Sequence, residues 1–288
     1  MHFHEQPFTI DGIKSWIHCL DRHVDPDMDE CPNIPHDHDY IEFLYATNAD
    51  AIVQINDEFF EFKTGDLAVI SSEEPHTLSF NSKSDYICVK FLPEILYSDT
   101  RSVFEYRYVL PFFTKNLRQR IFHKNEINQL DIKSLISEIM QEWEDGKTGY
   151  EFIIRANILK VFSLVIRHWE KNDLISFNIN PSDTIKKALS FIGENYSTIT
   201  ESDVAAHCGV SRNHFSFMFK NTMGKNFKNY VTFLKIHNAE KMLITTDKSI
   251  TDIAFETGFS SSSHFISCFK KQNDVTPKQF RNRVAKKQ

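Results

Sequence analysis

The sequence predicts a two-domain α+β protein. A small β-barrel with a helical hairpin is expected in residues 1–172, a linker at 173–182, and an all-α domain at 183–288. Three observations predict it. Short β-branched and aromatic runs divided by turn residues fill residues 35–92. Apolar residues then recur with helical spacing from about 100 to 172. Beyond residue 200 one helix–glycine–helix pattern occurs twice.

The strand candidates are Tyr40–Tyr45, Ala51–Ile55, Glu58–Phe62, Leu67–Ser71 and Tyr86–Phe91, separated by turn signals such as Asn56-Asp57 and Thr64-Gly65-Asp66. Many short strands at this spacing suggest a sandwich or barrel. Two helices are expected next. Leu130, Leu135, Ile136, Ile139 and Trp143 stripe Ile127–Trp143, and Ile154, Ile158, Phe162, Val165, Ile166 and Trp169 stripe Tyr150–Trp169. The short Asp145–Gly149 connection makes them an antiparallel hairpin, which either covers the sheet or pairs with a second subunit. Lys171 to Asp183, rich in Asn, Asp, Ser and Pro, reads as the linker.

In the repeat, Thr200, Asp203, Val204, Ala205 and Gly209 line up with Ser249, Asp252, Ile253, Ala254 and Gly258. Thr200-x-x-Asp203 and Ser249-x-x-Asp252 can cap a helix reciprocally, Asp standing where Glu is usual. Gly209 and Gly258 suit left-handed helix ends. Ser211 opens the following helix in the first unit, and Ser260 or Ser261 does so in the second. Helix, glycine turn, helix is the helix-turn-helix, whose second helix can enter the major groove of DNA. Asn226–Thr245 lies between the units. At 1.5 Å per residue this rod is roughly 28 Å long, near the ~34 Å repeat of B-DNA. Twin units on such a rod give one chain two reading heads.

Charge agrees with that division. The chain has a formal net charge of -6, yet residues 181–288 carry 16 Lys+Arg against 9 Asp+Glu, leaving 17 against 30 for residues 1–180. A basic back half can meet a polyanion. No apolar run nears the roughly 20 residues of a membrane span, and the start lacks signal-peptide features, so a cytoplasmic protein with no membrane partner is expected. Cys19, Cys31, Cys88, Cys208 and Cys268 are odd in number and show no C-x-x-C, which fits reduced thiols. G-x-x-x-x-G-K, G-x-G-x-x-G and G-x-S-x-G are missing, which argues against nucleotide-binding and serine-hydrolase chemistry. No cofactor is expected.

From Ser182 to about Lys287 the sequence resembles the AraC/XylS family of bacterial transcription regulators, including the tail GFSSSSHFISCFKKQNDVTPKQFR from Gly258 to Arg281. Asn273-Asp274 departs from a pattern that usually ends in Gly. Phe215 and Phe219, like Phe265 and Phe269, are four apart and expected in the core. Arg212, which suits guanine or phosphate, and Asn213, which suits adenine, fall near the opposite face. The resemblance implies that Asn213, Ser216 and Phe217 face bases. Phe217 either touches a thymine methyl or is buried. Ser262, Ser263 and Ser267 are left for DNA in the second head. Their short side chains suit phosphates, so the first head should discriminate bases more. Lys220, Lys225, Lys228, Lys270, Lys271, Arg281 and Arg283 are phosphate candidates.

In front, His36, His38 and Glu42 share parity in PHDHDYIEF and would point to one side of one strand, with His76 following in EEPHTL. This resembles the H-x-H-x(3)-E and second motifs of cupins, though the glycine expected after the first motif is missing. The resemblance implies a cupin-like barrel whose pocket binds a small organic effector, commonly a sugar, lined by His36, His38, Tyr40, Glu42 and His76. A divalent metal on His36, His38, Glu42 and His76 is a second reading, and structural histidines a third. Tyr40 is a sugar-stacking platform or a core tyrosine. The expected protein is a non-enzymatic, effector-responsive regulator. Its partners would be double-stranded DNA, a small molecule, a second copy of itself and, as a candidate, RNA polymerase. The alternative is a metal-binding cupin enzyme fused to a DNA-binding domain.

Overall fold

The computed structural model describes residues 3–10, 13–27, 34–96, 119–172, 174, 183–223 and 226–285. Most of the expected linker, Cys31, Lys225 and Lys287 lie outside them. The described residues fall into two units. One holds 3–7, 16–96 and 119–174, and the other holds Phe8–Ser15 and 183–285. The fold is two-domain α+β, a β-rich domain with helices followed by an all-helical domain.

In the first unit the strands are β1 (Phe3–His4), β4 (Ile17–Val24), β5 (His36–Asp37), β6 (Ile41–Asn48), β7 (Asp50–Ile55), β8 (Glu58–Lys63), β9 (Leu67–Ile70), β10 (His76–Phe80), β11 (Ser84–Phe91) and β12 (Ile121–Phe122). The short β2 (Thr9–Ile10) and β3 (Ile13–Lys14) pair with each other in the second unit. One sheet runs β1-β5-β10-β7-β8 and the other β12-β9-β6-β11-β4. Leu44, Ala46, Ala68, Ile70 and Cys88 of one sheet share a core with Ala51, Val53, Ile55 and Phe62 of the other, so the two sheets enclose a common interior. The alternate residues of β6, Ile41, Phe43 and Tyr45, are buried too, so its outer face also needs cover. The hairpin of α2 (Ile132–Asp145) and α3 (Tyr150–Lys171) supplies it. Helix α2 packs on β4, and Trp169 of α3 sits 5.7 Å from the Phe122 ring. A single turn, α1 (Lys124–Ile127), leads into it. The hairpin therefore covers the sheet, while Phe152 stays 78% exposed.

Five strands lie close to expectation, and two of the longer ones, β4 and β10, were not foreseen. Strand β4 pairs with β11 along its whole length, but Asp21, Arg22 and His23 break its apolar alternation. The single strand expected through His36, His38 and Glu42 is two strands in different sheets. A bend at Asp39-Tyr40 parts them, so His36 pairs with His76 of β10 while Glu42 pairs with Ile70 and Lys90.

The second unit contains seven helices among its described residues: α4 (Asp183–Asn195), α5 (Glu201–His207), α6 (Arg212–Met223), α7 (Phe227–Thr245), α8 (Ile250–Glu256), α9 (Ser262–Asn273) and α10 (Pro277–Ala285). The Thr200 hydroxyl accepts from Asp203 N at 3.2 Å while Thr200 N donates to Asp203 Oδ2 at 2.9 Å, closing the capping box. Ser249 caps α8 without the reciprocal backbone bond that was expected: its hydroxyl accepts from Asp252 N at 3.1 Å and donates to Asp252 Oδ2 at 2.6 Å. Both turns end on left-handed glycines, with φ +68° at Gly209 and +87° at Gly258. Their surroundings differ. A Cβ on Gly209 would meet open space, whereas one on Gly258 would lie 1.8 Å from the Ser197 carbonyl oxygen, in the segment joining α4 to α5. The rod α7 packs against both α6 and α9. Where the tail departs from the usual pattern, Asp274 itself takes φ +60° to end α9, and the Asn273 amide donates to Glu240 at 2.7 Å. Non-glycine residues adopt that conformation at a cost, Asp and Asn least.

Candidate functional site

In the helical domain, each recognition helix is clamped from behind by two phenylalanines. Phe215 and Phe219 are 0% exposed and meet Phe227 of the rod at 5.9 Å each, while Phe265 and Phe269 are 0% exposed, with Phe280 5.4 Å from Phe269. This fixes the outward faces. On α6 Asn213, Phe217 and Lys220 are exposed and Ser216 is half-buried. Phe217 is 68% exposed, so it is not a core residue. Arg212 is exposed but held to Glu201 at 3.0 Å. On α9 Ser263, Ser267 and Lys270 are exposed and Ser262 is half-buried. The cap of α9 is Ser261, accepting from His264 N at 3.3 Å, and not Ser260. Of the expected phosphate contacts, Arg281 is instead tied to the backbone carbonyls of Leu243 and Lys248, at 3.4 and 2.7 Å.

The cap at Ser261 sets the register of the second head. Aligned from the caps, Ser211 to Lys220 and Ser261 to Lys270 read SRNHFSFMFK and SSSHFISCFK. Ile266 therefore occupies the position of Ser216, and it is 37% exposed. It was missed because the repeat was aligned on its glycines. One extra serine before α9 shifts everything after it by one residue.

In the β-rich domain, three imidazoles and a carboxylate meet in the interior. His38 and His76 are each 1% exposed and Glu42 3%. Glu42 Oε2 lies 2.9 Å from His76 Nε2 and 3.2 Å from His38 Nε2, while the Cys88 thiol donates to Oε1 at 2.7 Å. At its other nitrogen His76 donates to the Glu74 carbonyl at 2.8 Å, and His38 Nδ1 faces the Tyr40 carbonyl at 3.1 Å. Half-buried His36 lies tilted against His76, at 51° between the rings and with ring centres 4.3 Å apart. Tyr40 is buried and packs edge-on to His38.

Charges in this interior are strongly perturbed. Burial alone would raise the Glu42 carboxyl, but the Lys90 charge and hydrogen bonds from His38 and His76 hold it well below the usual range. Burial opposes a charge on His76, yet its bonds to Glu42 and the Glu74 carbonyl push its value up. That upward shift favours a protonated His76 paired to Glu42. Burial, then the neighbouring His76, drops His36 to about 4, so it is neutral near pH 7. Lys90 is held charged by Glu42 and by Glu5, 2.5 Å away. Lys90 and Cys88 were not foreseen. A lysine at the inward parity of an apolar run was the available signal. Beside them a second buried pair, Arg120–Glu74 at 2.6 Å, ties β12's approach to the loop before β10.

Two uses of this cluster are chemically open. A recess of about 360 Å³ lies beside His76, lined by Pro35, Gln54, Asn56, Asp57 and Pro75, and offers polar groups to a small molecule. The donor atoms of His36, His38 and His76 also lie within 4.8 Å of one another. Imidazoles whose far nitrogens face carbonyls suit a divalent transition metal, Glu42 completing the set once His76 gives up its proton.

Comparison with known proteins adds to this geometry. Residues 27–149 match the AraC-like ligand binding domain, and residues 204–283 match a helix-turn-helix domain. The melibiose operon regulatory protein of Escherichia coli strain K12 is 25% identical over 260 residues, covering 85% of this chain and 82% of that protein. The HTH-type transcriptional activator RhaR of Mannheimia succiniciproducens is 24% identical over 286 residues, covering 98% and 94%. Among solved structures, ToxT from Vibrio cholerae O395 is 14% identical with a TM-score of 0.41, covering 94% of this chain and 100% of that one. Among the described residues no helix is long and apolar enough to cross a membrane.

Proposed function

The chain belongs to the AraC family of transcription regulators, a non-enzymatic family, and on that premise we propose that it reads two successive major-groove segments and answers to a saccharide or related metabolite. DNA binding and small-molecule binding follow from the two domains. Family membership sets aside the fused metallo-enzyme. The finer reading rests chiefly on one observation: matching outward faces on two recognition helices, backed by buried phenylalanine pairs and braced by one rod. Asn213, Ser216 and Phe217 face bases in the first head, and Ser263 and Ser267 face DNA in the second. Arg212, Ser262, Lys220 and Lys270 approach phosphates. A footprint of the full chain should protect two segments about one helical turn apart. Protection of half that span would overturn the two-headed reading.

The effector site comprises His36, His38, Tyr40, Glu42 and His76 with the adjoining recess. A relative named for the melibiose operon supports a saccharide. Thermal unfolding with a panel of mono- and disaccharides tests this, and no shift with any member would remove the sugar assignment. Effector binding would change how residues 1–172 and 183–288 engage across the linker 173–182, in a cytoplasmic homodimer formed through the hairpin, with RNA polymerase a candidate further contact. Sedimentation showing monomers alone, with and without DNA, would remove the dimer.

The backbone carbonyls that face Nδ1 of His76 and of His38 favour a second reading, a bound transition metal. Elemental analysis of purified protein, with unfolding before and after chelation, tests it. Stoichiometric metal and a lowered melting temperature on chelation would support it, and no metal would exclude it.

A further inference from the structure

We propose that each recognition helix reads a thymine methyl group with one apolar side chain, Phe217 in the first head and Ile266 in the second. This rests on the two-headed reading and deepens it by naming what the heads recognise. In the register set by the Ser211 and Ser261 caps, the positions two, five and six residues past the cap are Asn213, Ser216 and Phe217 on α6, and Ser263, Ile266 and Ser267 on α9. These positions, spaced i, i+3 and i+4, lie together on one side of a helix. In each trio two members are small and polar and one is large and apolar. The apolar member is exposed, 68% at Phe217 and 37% at Ile266. The core on the far side is already filled by Phe215, Phe219, Phe265 and Phe269, so neither side chain is needed there. In the major groove the C5-methyl of thymine is the apolar feature that a base pair presents, and aromatic or aliphatic side chains are its usual partners.

The apolar residue sits one position later in the first head than in the second. The two thymines are therefore not at equivalent places in the two half-sites. The segment read by each chain is non-palindromic, with one contacted thymine per half-site and the half-sites about one helical turn apart.

The full-length protein first enriches duplexes from a random pool. The consensus duplex is then synthesised with deoxyuridine replacing each thymidine in turn, which removes one methyl and leaves base pairing unchanged. For each bound chain two positions, one per half-site, should each weaken binding about fourfold, the value of one buried methyl group. Phe217→Ser should abolish the uridine penalty in one half-site and Ile266→Ser in the other, each leaving the opposite penalty in place. Both residues are exposed, and unchanged helical circular dichroism confirms folding of the variants. An enriched duplex bound equally with thymidine and uridine at every position overturns the proposal alone, as do variants that keep both penalties. A pool that enriches no site overturns the proposal together with the two-headed reading beneath it.

Discussion

The two units bury different things. The β-rich unit holds His38, Glu42, Glu74, His76, Lys90 and Arg120 in its interior. Among the described residues from 183 onward the buried side chains are apolar apart from Thr257. There the charges stand outside, and the interior is a stack of phenylalanines. A buried ionic cluster is expensive to assemble and unforgiving once assembled, since each member depends on the others for its compensation. An apolar core is tolerant and leaves the surface free for polar contacts. One unit is organised around its inside and the other around its outside, as expected of a domain that encloses a small ligand and a domain that grips a long one.

Removing one ion from each unit should break the symmetry most sharply. Glu42→Ala leaves Lys90, His38 and His76 without the carboxylate they face in the interior, and the β-rich unit should lose about 3–5 kcal/mol. Glu201→Ala, which frees exposed Arg212, should cost under about 1 kcal/mol. Trp16, Trp143 and Trp169 all lie in the β-rich unit, so tryptophan fluorescence during urea unfolding follows that unit by itself.

Within the helical unit the paired glycines sharpen the point that location decides cost. Gly258→Ala combines left-handed strain with a collision against the Ser197 backbone and should cost about 3 kcal/mol or more. Gly209→Ala meets open space and should cost about 1–2 kcal/mol. Equal losses, measured by far-ultraviolet circular dichroism, would contradict the packing at Ser197. Asn213→Ala should leave stability unchanged yet weaken DNA binding by about 1–3 kcal/mol at one base pair in a titration. Thr200→Ala, which opens a capping box, should cost about 1 kcal/mol.

The smallest effect is a slope with pH. His76 has a raised value, so its contribution is complete below about pH 6.5 and fades as pH rises through that raised value. His36 is depressed to about 4, so its contribution is complete above about pH 6.5 and is lost as pH falls toward 4. Glu42, held low, adds a further loss in stronger acid. Stability of the β-rich unit should therefore peak near pH 6.5, and His36→Asn should flatten the limb between 6.5 and 4. A profile unchanged by His36→Asn would remove that assignment.

Legibility in the sequence followed the range of the interactions. The helical unit is written in local code: a hydroxyl three residues before Asp203 or Asp252, a glycine at each turn, phenylalanines four apart. Each is satisfied within one or two turns of chain, so spacing reveals it. Ile266 escaped because a single inserted serine moved the register, and only the cap hydrogen bond shows which serine counts. The histidine cluster was legible as a set of residues but not as a structure. Parity placed His36 and Glu42 on one strand, whereas the bend at Asp39-Tyr40 sends them to facing sheets. Lys90 joins them through cross-strand pairing with Glu42, a contact across 48 positions of sequence that no local pattern carries.

The Ser197 carbonyl beneath Gly258 also bears on modularity. The second turn rests on a floor belonging to the segment that introduces the first. Transplanting either head into a chimaera, with the rod as the seam, would part glycine from floor and leave a hole on one side or a clash on the other. The duplicated device behaves as one indivisible part.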